Sequence, residues 1–125
     1  MRLRIRVLAD SKIAIGPGKA DLLDAVAETG SIAAAARRMR MSYRRAWLLV
    51  DTMNACFGGP LVTKEKGGPH GGGATLTRMG RSVLAKYRSL SRSAERTFNP
   101  LLRRPRGKQK RARSDRMRSR NHEDL

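Results

Sequence analysis

The chain has 125 residues, enough for one domain with an appendage but too few for a catalytic domain followed by a sensing domain. It carries 28 Lys and Arg residues against 10 Asp and Glu residues, a formal net charge of +18. This charge repels itself in the compact state, so a polyanionic partner is expected, and nucleic acid is favoured over an anionic membrane. Cys56, the only cysteine, cannot form an internal disulfide, which fits a reducing compartment.

The distribution of charge and apolar residues predicts a domain over residues 1–97 and a tail over 98–125. The tail has 10 basic and 3 acidic side chains, a charge of +7, with two prolines and almost no apolar periodicity. Such a segment cannot bury enough surface to offset its ordering entropy, so a disordered basic tail is expected from about residue 99. No apolar run approaches the roughly 20 residues of a membrane span, and no signal-peptide pattern is present. A cytoplasmic, bacterial, nucleoid-associated protein is expected.

The first third of the chain predicts one strand and one helix. Residues 2–8, RLRIRVL, alternate arginine with aliphatic residues, which is typical of a half-buried strand. The sequence GPG at 16–18 breaks regular structure, and a first helix is predicted over 18–29, ending at Gly30. Its apolar face consists of Leu22, Leu23, Val26 and Ala27.

Two short helices are predicted to follow, each preceded by a serine. Ser31 is the expected N-cap of a second helix over 32–39, whose buried residues are Ile32, Ala35, Ala36 and Met39. Arg40 and Met41 form a tight turn, and Ser42 caps a third helix over 43–57. Spacings of three and four predict a buried stripe of Ala46, Leu49 or Val50, Met53 and Phe57, so that Arg44, Arg45 and Leu48 point away from the core, with Tyr43 and Trp47 on the flank.

The second half of the chain predicts a hairpin and a long helix. Strand 61–65 and strand 74–76 flank a loop rich in glycine at 67–73, and Thr77 caps a fourth helix over 78–97. Its apolar stripe begins at Met79 and is longer than one small core can cover, which indicates a two-fold dimer interface. The predicted dimerisation residues are Val83, Leu84, Tyr87, Leu90 and Ala94.

This order of elements predicts a mostly α fold with a small β wing, a winged helix-turn-helix with an N-terminal strand and a long C-terminal dimerisation helix. The major groove of DNA, about 12 Å wide, admits one helix, whose leading residues meet the base edges. Arg44 and Arg45 are suited to guanine O6 and N7, and Tyr43 to a thymine methyl or a phosphate. The predicted DNA-binding residues are Ser31, Arg40, Ser42, Tyr43, Arg44, Arg45, Lys64, Lys66 and His70.

Simpler interpretations of the same residues stay open. Tyr43 and Trp47 are also compatible with packing at the edge of the core, and Arg44 and Arg45 with a solvated face. The glycine loop is also compatible with a plain hairpin, and the tail with a solubilising role. His70 has no second metal ligand at suitable spacing, no cofactor is predicted, and no catalytic set of side chains stands out, so an enzyme is not expected.

The run TGSIAAAARRMRMSYRRAWLLVDTMN, followed by LVTKEKGGPHGGGATLTRMG, resembles the N-terminal DNA-binding domain of ModE-type molybdate-responsive regulators, relatives of the LysR type. The resemblance covers about residues 3–95. It implies a winged helix that dimerises through its last helix and binds an operator. Two features depart from the family: Arg40 stands where a glycine is usual, and residues 98–125 leave no room for a molybdate-binding domain. Molybdate binding is therefore assigned to no residue.

Three functions follow as hypotheses. The first is a dimeric transcriptional regulator that binds a near-palindromic operator in double-stranded DNA. Its control comes from its abundance, comes from a separate sensor protein, or does not exist. The second is an architectural, nucleoid-associated protein that binds DNA with little regard to sequence through the wing and the tail. The third is an interaction module whose basic face binds an acidic protein.

Overall fold

The computed structural model describes residues 3–65 and 73–103, which form four α-helices and two antiparallel hairpins. The fold is mostly helical with a small wing, as predicted. None of the described helices is both long and apolar enough to cross a lipid bilayer. In chain order the elements are β1 (Val7–Ala9), β2 (Lys12–Ile15), α1 (Pro17–Thr29), α2 (Ile32–Arg38), α3 (Tyr43–Cys56), β3 (Val62–Lys64), β4 (Ala74–Leu76), α4 (Arg78–Phe98) and a 3-10 turn (Asn99–Leu101).

Local hydrogen bonds set the ends of α1, α2 and α3. Gly30 ends α1 with a φ of 70°, and its N–H donates to the Val26 carbonyl at 2.8 Å. The Ser31 hydroxyl accepts from the N–H of Ala34 at 3.1 Å, and the Ser42 hydroxyl accepts from the N–H of Arg45 at 3.0 Å. Both predicted serine caps are therefore confirmed, and they satisfy backbone donors that the first turn of a helix leaves unpaired.

The turn between α2 and α3 keeps a left-handed residue although that residue is not glycine. Arg40 has a φ of 57°, and its N–H donates to the Arg37 carbonyl at 3.1 Å. The next N–H, that of Met41, donates to the Ala36 carbonyl at 3.0 Å. A side chain at such a φ costs about 1–2 kcal/mol. The hydrogen bonds of the corner hold the backbone there, and the arginine side chain is exposed.

The wing is bonded to the helices at both of its strands. The strands pair with Val62 opposite Leu76 and Lys64 opposite Ala74. On the β4 side the Ala74 N–H donates to the Gly30 carbonyl at 2.9 Å. On the β3 side Asn54 of α3 accepts through Oδ1 from the Leu61 N–H at 2.8 Å and the Val62 N–H at 3.3 Å. The wing is therefore fixed to the end of α1 and to the last turn of α3.

The first turn of α4 lies against the chain just before β3. The Thr77 hydroxyl accepts from the Gly80 N–H at 2.9 Å, as its predicted capping role requires, and donates to the Pro60 carbonyl at 2.6 Å. A Cβ placed on Gly80 would stand 2.1 Å from the Leu61 carbonyl oxygen. Only a residue without a side chain allows this approach of the two backbones.

The middle of α4 is held by the N-terminal segment and by α1. Tyr87 is 5% exposed, and its hydroxyl donates to the Ile5 carbonyl at 2.7 Å. Burial raises the pKa of Tyr87 above its ordinary value. One turn of α1 contributes two carboxylates to Arg88, whose guanidinium bonds Asp21 at 2.9 Å and also Asp24. Because all three side chains are partly exposed, this pairing orients α4 more than it stabilises the fold.

The N-terminal region differs from the prediction of one strand over residues 2–8. Among the described residues of that range, only Val7 and Leu8 lie in a strand; β1 then turns at Asp10 and pairs with β2, which was not predicted from the sequence. Ile5 packs against the core, but burial does not follow the alternation of residues 3–6, since Arg4 is partly buried like Leu3 and Ile5. Lys19 is only 5% exposed, and its ammonium group donates to the Ile13 carbonyl at 2.7 Å. Burial lowers the pKa of Lys19 below its ordinary 10.5, and an electrostatic effect of Cys56 opposes this shift.

Several smaller differences concern the helices. Met39 and Phe57 are the C-caps of α2 and α3 instead of their last residues, and Ala27 is exposed although it was placed on the buried face of α1. Leu49 and Val50 are both buried, where one of the two was expected. The last helix continues to Phe98 and a 3-10 turn follows at 99–101, where an irregular tail was predicted to begin. The remainder of the tail lies outside the described residues.

Replacing Gly80 by alanine should destabilise the fold. The added methyl would overlap the Leu61 carbonyl, and overpacking of this kind costs about 1–3 kcal/mol, more than the gain of about 1 kcal/mol from helix propensity. Urea denaturation followed by circular dichroism measures the change. Gly59→Ala is the matched control, because among the described residues no atom lies within 4 Å of its new Cβ. Equal stability of the two variants would contradict the close approach of the two backbones.

Candidate nucleic-acid interface

The leading end of α3 presents a basic surface to solvent. Arg44 and Arg45 are exposed on this helix, and Leu48, one turn further on, is 58% exposed. The opposite side of α3 anchors the helix in the core through Ala46, Leu49, Val50 and Met53, all of them buried. The outward direction predicted for Arg44, Arg45 and Leu48 is confirmed. Since the Ser42 cap fixes where α3 begins, it also fixes where these side chains emerge.

The charge of the helix-turn-helix is of one sign as far as Val50, and Asp51, exposed further along α3, is its acidic residue. Residues 31–50 contain five arginines and no acidic residue. All five are exposed, at positions 37, 38, 40, 44 and 45. The Arg38 side chain forms an ion pair with Glu28 of α1, which offsets part of the charge at the far end of α2. A surface of this kind attracts a polyanion and orients it before contact.

Tyr43, Trp47 and Lys64 form a cluster, here called the aromatic cluster, that joins α3 to the wing. The rings of Tyr43 and Trp47 meet edge to face with their centroids 6.3 Å apart. The Lys64 ammonium lies 5.2 Å from the centroid of the Trp47 ring and donates to the Tyr43 hydroxyl at 3.4 Å. Hydrogen bonding from Trp47 and, less strongly, from Lys64 lowers the pKa of Tyr43. Trp47 is half-buried against the core, in keeping with packing at the core edge, whereas Tyr43 is 47% exposed.

A cleft of about 210 Å³ opens beside the aromatic cluster. Its walls come from three elements, with Ser31 before α2, Tyr43 at the start of α3, and Lys64 and Gly73 at the wing. The structure thus brings three of the predicted DNA-binding residues to one place. Ser42, Arg44 and Arg45 lie on α3 and its cap, and Arg40 lies at the corner before them. Lys66 and His70 lie outside the described residues, so their predicted roles are untested.

Asn54 is the residue of this region that sequence reasoning did not interpret. Asn54 is the last residue of the first run that resembles the ModE-type domain, and no physical role was predicted for it. In the structure Asn54 accepts two backbone N–H groups at the start of the wing and donates through Nδ2 to the Val62 carbonyl at 3.3 Å. A polar residue four positions after a buried valine, near the end of a helix, was the available signal. Its partner could not be inferred without the path of the chain.

Metal-binding groups do not cluster in the part of the chain that the structure describes, where no three His, Cys, Asp or Glu residues come together. Cys56 is partly buried at the end of α3.

Asn54→Ala should loosen the wing and lower the stability of the domain. The buried residues Leu61 and Val62 would lose the acceptor of their N–H groups, and an unsatisfied buried donor costs about 1–3 kcal/mol. Urea denaturation measures the change in stability. Asn99→Ala serves as the control, because Asn99 is exposed at the end of α4. The assigned role of Asn54 would be refuted if both substitutions had the same small effect.

A short helix, a turn, an exposed basic helix and then a two-stranded wing define a winged helix-turn-helix domain, a class of DNA-binding domain. Residues 19–81 match the family described as bacterial regulatory helix-turn-helix protein, lysR family. This match covers half of the chain, and the chain belongs to that family. The matched family is one of DNA-binding transcription regulators, and residues 19–81 contain α2, the corner, α3 and the described part of the wing.

Curated relatives agree with this family. The chain is 43% identical over 81 residues to the molybdenum-pterin-binding protein MopB of Rhodobacter capsulatus, covering 65% of this chain and 30% of the relative. It is 40% identical over 87 residues to the molybdenum transport protein ModE of Azotobacter vinelandii, covering 70% and 32%. It is 34% identical over 101 residues to the DNA-binding transcriptional dual regulator ModE of Escherichia coli K12, covering 81% and 36%. The chain therefore spans about a third of the length of these relatives.

Proposed function

We propose that this protein is a transcriptional regulator that binds a near-palindromic operator as a two-fold dimer. In this arrangement α3 enters the major groove and the wing, residues 61–76, meets the sugar-phosphate edge. The exposure of Arg44 and Arg45 at the leading end of a helix whose other side is buried is the observation that carries this proposal. Guanidinium groups in that position can donate two hydrogen bonds to guanine O6 and N7.

The other predicted DNA-binding residues are assigned to the phosphate backbone, not to base edges. Tyr43, Lys64 and Ser31 surround a cleft at the side of α3 and are suited to the phosphate backbone, which positions a protein without reading sequence. Arg40 and Ser42 lie at the corner that precedes α3 and are assigned to phosphates as well. Lys66 and His70 are assigned to the wing contact from the sequence alone.

The apolar face of α4 supports the proposed dimer. Leu90 is 47% exposed, and Val83, Leu84 and Ala94 on the same helix are only partly buried within one chain. Tyr87 was predicted to belong to this face, but its ring is buried in the core of its own chain, so the proposed interface uses the other four residues. A second copy related by a two-fold axis is the simplest way to cover such a stripe.

The names of the relatives also refer to molybdenum and pterin. The chain spans about a third of the relatives' length, and the proposal assigns no oxyanion binding to any of its described residues. A separate sensor protein stays one proposed means of controlling DNA binding.

Replacing Arg44 and Arg45 together by alanine should remove sequence discrimination. Each bidentate pairing with a guanine contributes about 1–3 kcal/mol, so the preference for operator over random DNA should fall by about 5- to 150-fold for each pairing removed. The operator is first recovered by selection from a random DNA pool, where half-sites about 34 Å apart are expected. Fluorescence anisotropy with both duplexes then measures the preference.

The control for this experiment is Arg92→Ala, which removes one exposed charge from α4. It should weaken binding to both duplexes slightly and equally. A selection that enriches no motif, or a double variant that keeps full preference for the operator, would refute base reading by α3.

Leu90→Glu should convert the proposed dimer to a monomer, because it places a charge in the apolar contact between copies. Leu90 is 47% exposed in one chain, so the substitution leaves the fold of that chain intact. Sedimentation velocity at micromolar concentration measures the change. Ser89→Glu adds the same charge at a neighbouring exposed position and should leave the dimer in place. A monomeric wild-type protein at this concentration would contradict the proposed dimer.

An architectural role is the second candidate, favoured by the charge of +18 and by the +7 carried on residues 98–125. Binding would then vary little with sequence and fall steeply with salt. The variants of Arg44 and Arg45 separate the two, because an architectural protein would lose affinity uniformly. Removing residues 104–125 should weaken operator and random DNA alike under the first proposal. Loss of sequence preference on this truncation would show that the tail and α3 have been assigned the wrong roles.

A further inference from the structure

We infer that the cleft between Ser31, Tyr43 and Lys64 binds one phosphate group of the DNA backbone, and that Trp47 is the positioning residue that holds the Lys64 ammonium at this site. The inference rests on the proposed function, since it takes DNA as the partner and this cleft as a contact with the phosphate backbone. It adds that a single phosphate group is bound there and that Trp47 has a role in binding it. No role in DNA contact follows for Trp47 from its sequence position alone.

The position of the Lys64 side chain is the first argument. Lysine on an exposed strand ordinarily samples many rotamers, and it gives up this freedom when it meets a phosphate. Here the ammonium is already placed 5.2 Å from the centre of the Trp47 ring and 3.4 Å from the Tyr43 hydroxyl. A binding group that is ordered before contact loses less entropy on binding, so the cluster favours association.

The hydrogen-bonding capacity of the cleft is the second argument. A lysine ammonium has three N–H donors. In Lys64 one donor meets the Tyr43 hydroxyl and another side of the ammonium faces the Trp47 ring, which leaves a third side for a ligand. The Tyr43 and Ser31 hydroxyls each act as acceptors within the protein, from Lys64 and from the Ala34 N–H. Because a hydroxyl that accepts a bond still carries its own hydrogen, both can donate to an added oxygen. One positive charge and two hydroxyl donors therefore meet at a cleft of about 210 Å³, whose remaining walls are Gly73 and the apolar residues Ile32, Ala33 and Ala74.

The anchoring of Trp47 is the third argument. Its ring packs partly against the core and meets Tyr43 edge to face at 6.3 Å. Trp47 lies on α3 and Lys64 on β3, so the contact between them ties the helix that reads bases to the strand that meets the backbone. A phosphate held by Lys64 would then set the depth at which α3 enters the groove.

One carboxylate lies near the site. The Glu65 Oε2 atom is 3.5 Å from the point where a Cβ on Gly73 would stand, and Gly73 lines the cleft. The negative charge of Glu65 would repel an anionic ligand. Glu65→Gln should therefore tighten binding to any DNA duplex, and weaker binding by this variant would count against a phosphate in the cleft.

The test is a double-mutant cycle with Lys64→Ala and Trp47→Leu, measured on a random duplex by fluorescence anisotropy over a range of salt concentrations. Lys64→Ala should reduce by about one the slope of log K against log salt, because the protein then neutralises one phosphate fewer. Trp47→Leu should weaken binding several-fold. In the Lys64→Ala background the same change should have no further effect, since a positioning residue acts only through the group that it positions.

Lys86→Ala is the matched control, because Lys86 is exposed on α4 and lies within 3.4 Å of Ser82 on the same helix. It should leave the slope unchanged. An equal fall of the slope in Lys64→Ala and Lys86→Ala would show diffuse attraction without a subsite, and an unchanged slope in Lys64→Ala would also overturn the inference. Additive losses of affinity from Trp47→Leu and Lys64→Ala would remove the positioning role of Trp47.

Folding is followed by urea denaturation for each variant. If Trp47→Leu does not fold, Trp47→Phe keeps an aromatic face with a weaker attraction for a cation and should give an intermediate loss of affinity that also vanishes without Lys64. A loss from Trp47→Phe that persists without Lys64 would overturn its positioning role. Failure of the proposed function looks different, because the wild-type protein would then enrich no motif from the random DNA pool, or bind no DNA even at low salt, whatever the Lys64 and Trp47 variants do.

Discussion

The attachment of the wing to the helices is the constraint on which the rest of the structure depends. Hydrogen bonds at two places attach the wing. Asn54 accepts from the backbone at the start of β3, and the Gly30 carbonyl accepts from the Ala74 N–H at the start of β4. The close backbone approach at Gly80 then places α4 against the same segment. Because the core of so short a domain is small, these contacts decide where the wing stands relative to α3.

The two sides of α3 lie in different environments, the protein core and the solvent. One side fills the core with Ala46, Leu49, Val50 and Met53, while the other carries charged side chains that water solvates in the unbound protein. The aromatic cluster lies at the boundary between these two sides. There a half-buried tryptophan ring, anchored like a core residue, presents a face to a lysine of the wing. In the proposed function, packing and recognition are thus coupled through one side chain.

Features that depend on neighbouring residues were predictable. The serine caps, the ends of α2 and α3 to within one residue, the exposed direction of Arg44 and Arg45, and the wing strands all follow from spacing and capping chemistry. The N-terminal hairpin was missed because the alternation of residues 2–8 identifies an apolar side without identifying its partner. Lys19 was missed for a similar reason, since a buried ammonium looks like any surface lysine until Ile13 is placed beside it.

The sequence by itself determined the winged helix-turn-helix and the basic start of its third helix, because capping, periodicity and charge act over a few residues. Its resemblance to ModE-type domains indicated the family. Only the tertiary structure decided that Tyr87 fills the core of its own chain, that Asn54 holds the wing, and that Lys64 lies over Trp47. These pairs are separated by 82, 7 and 17 positions, so that no local period relates them. Their contacts exist only after the chain has folded back on itself.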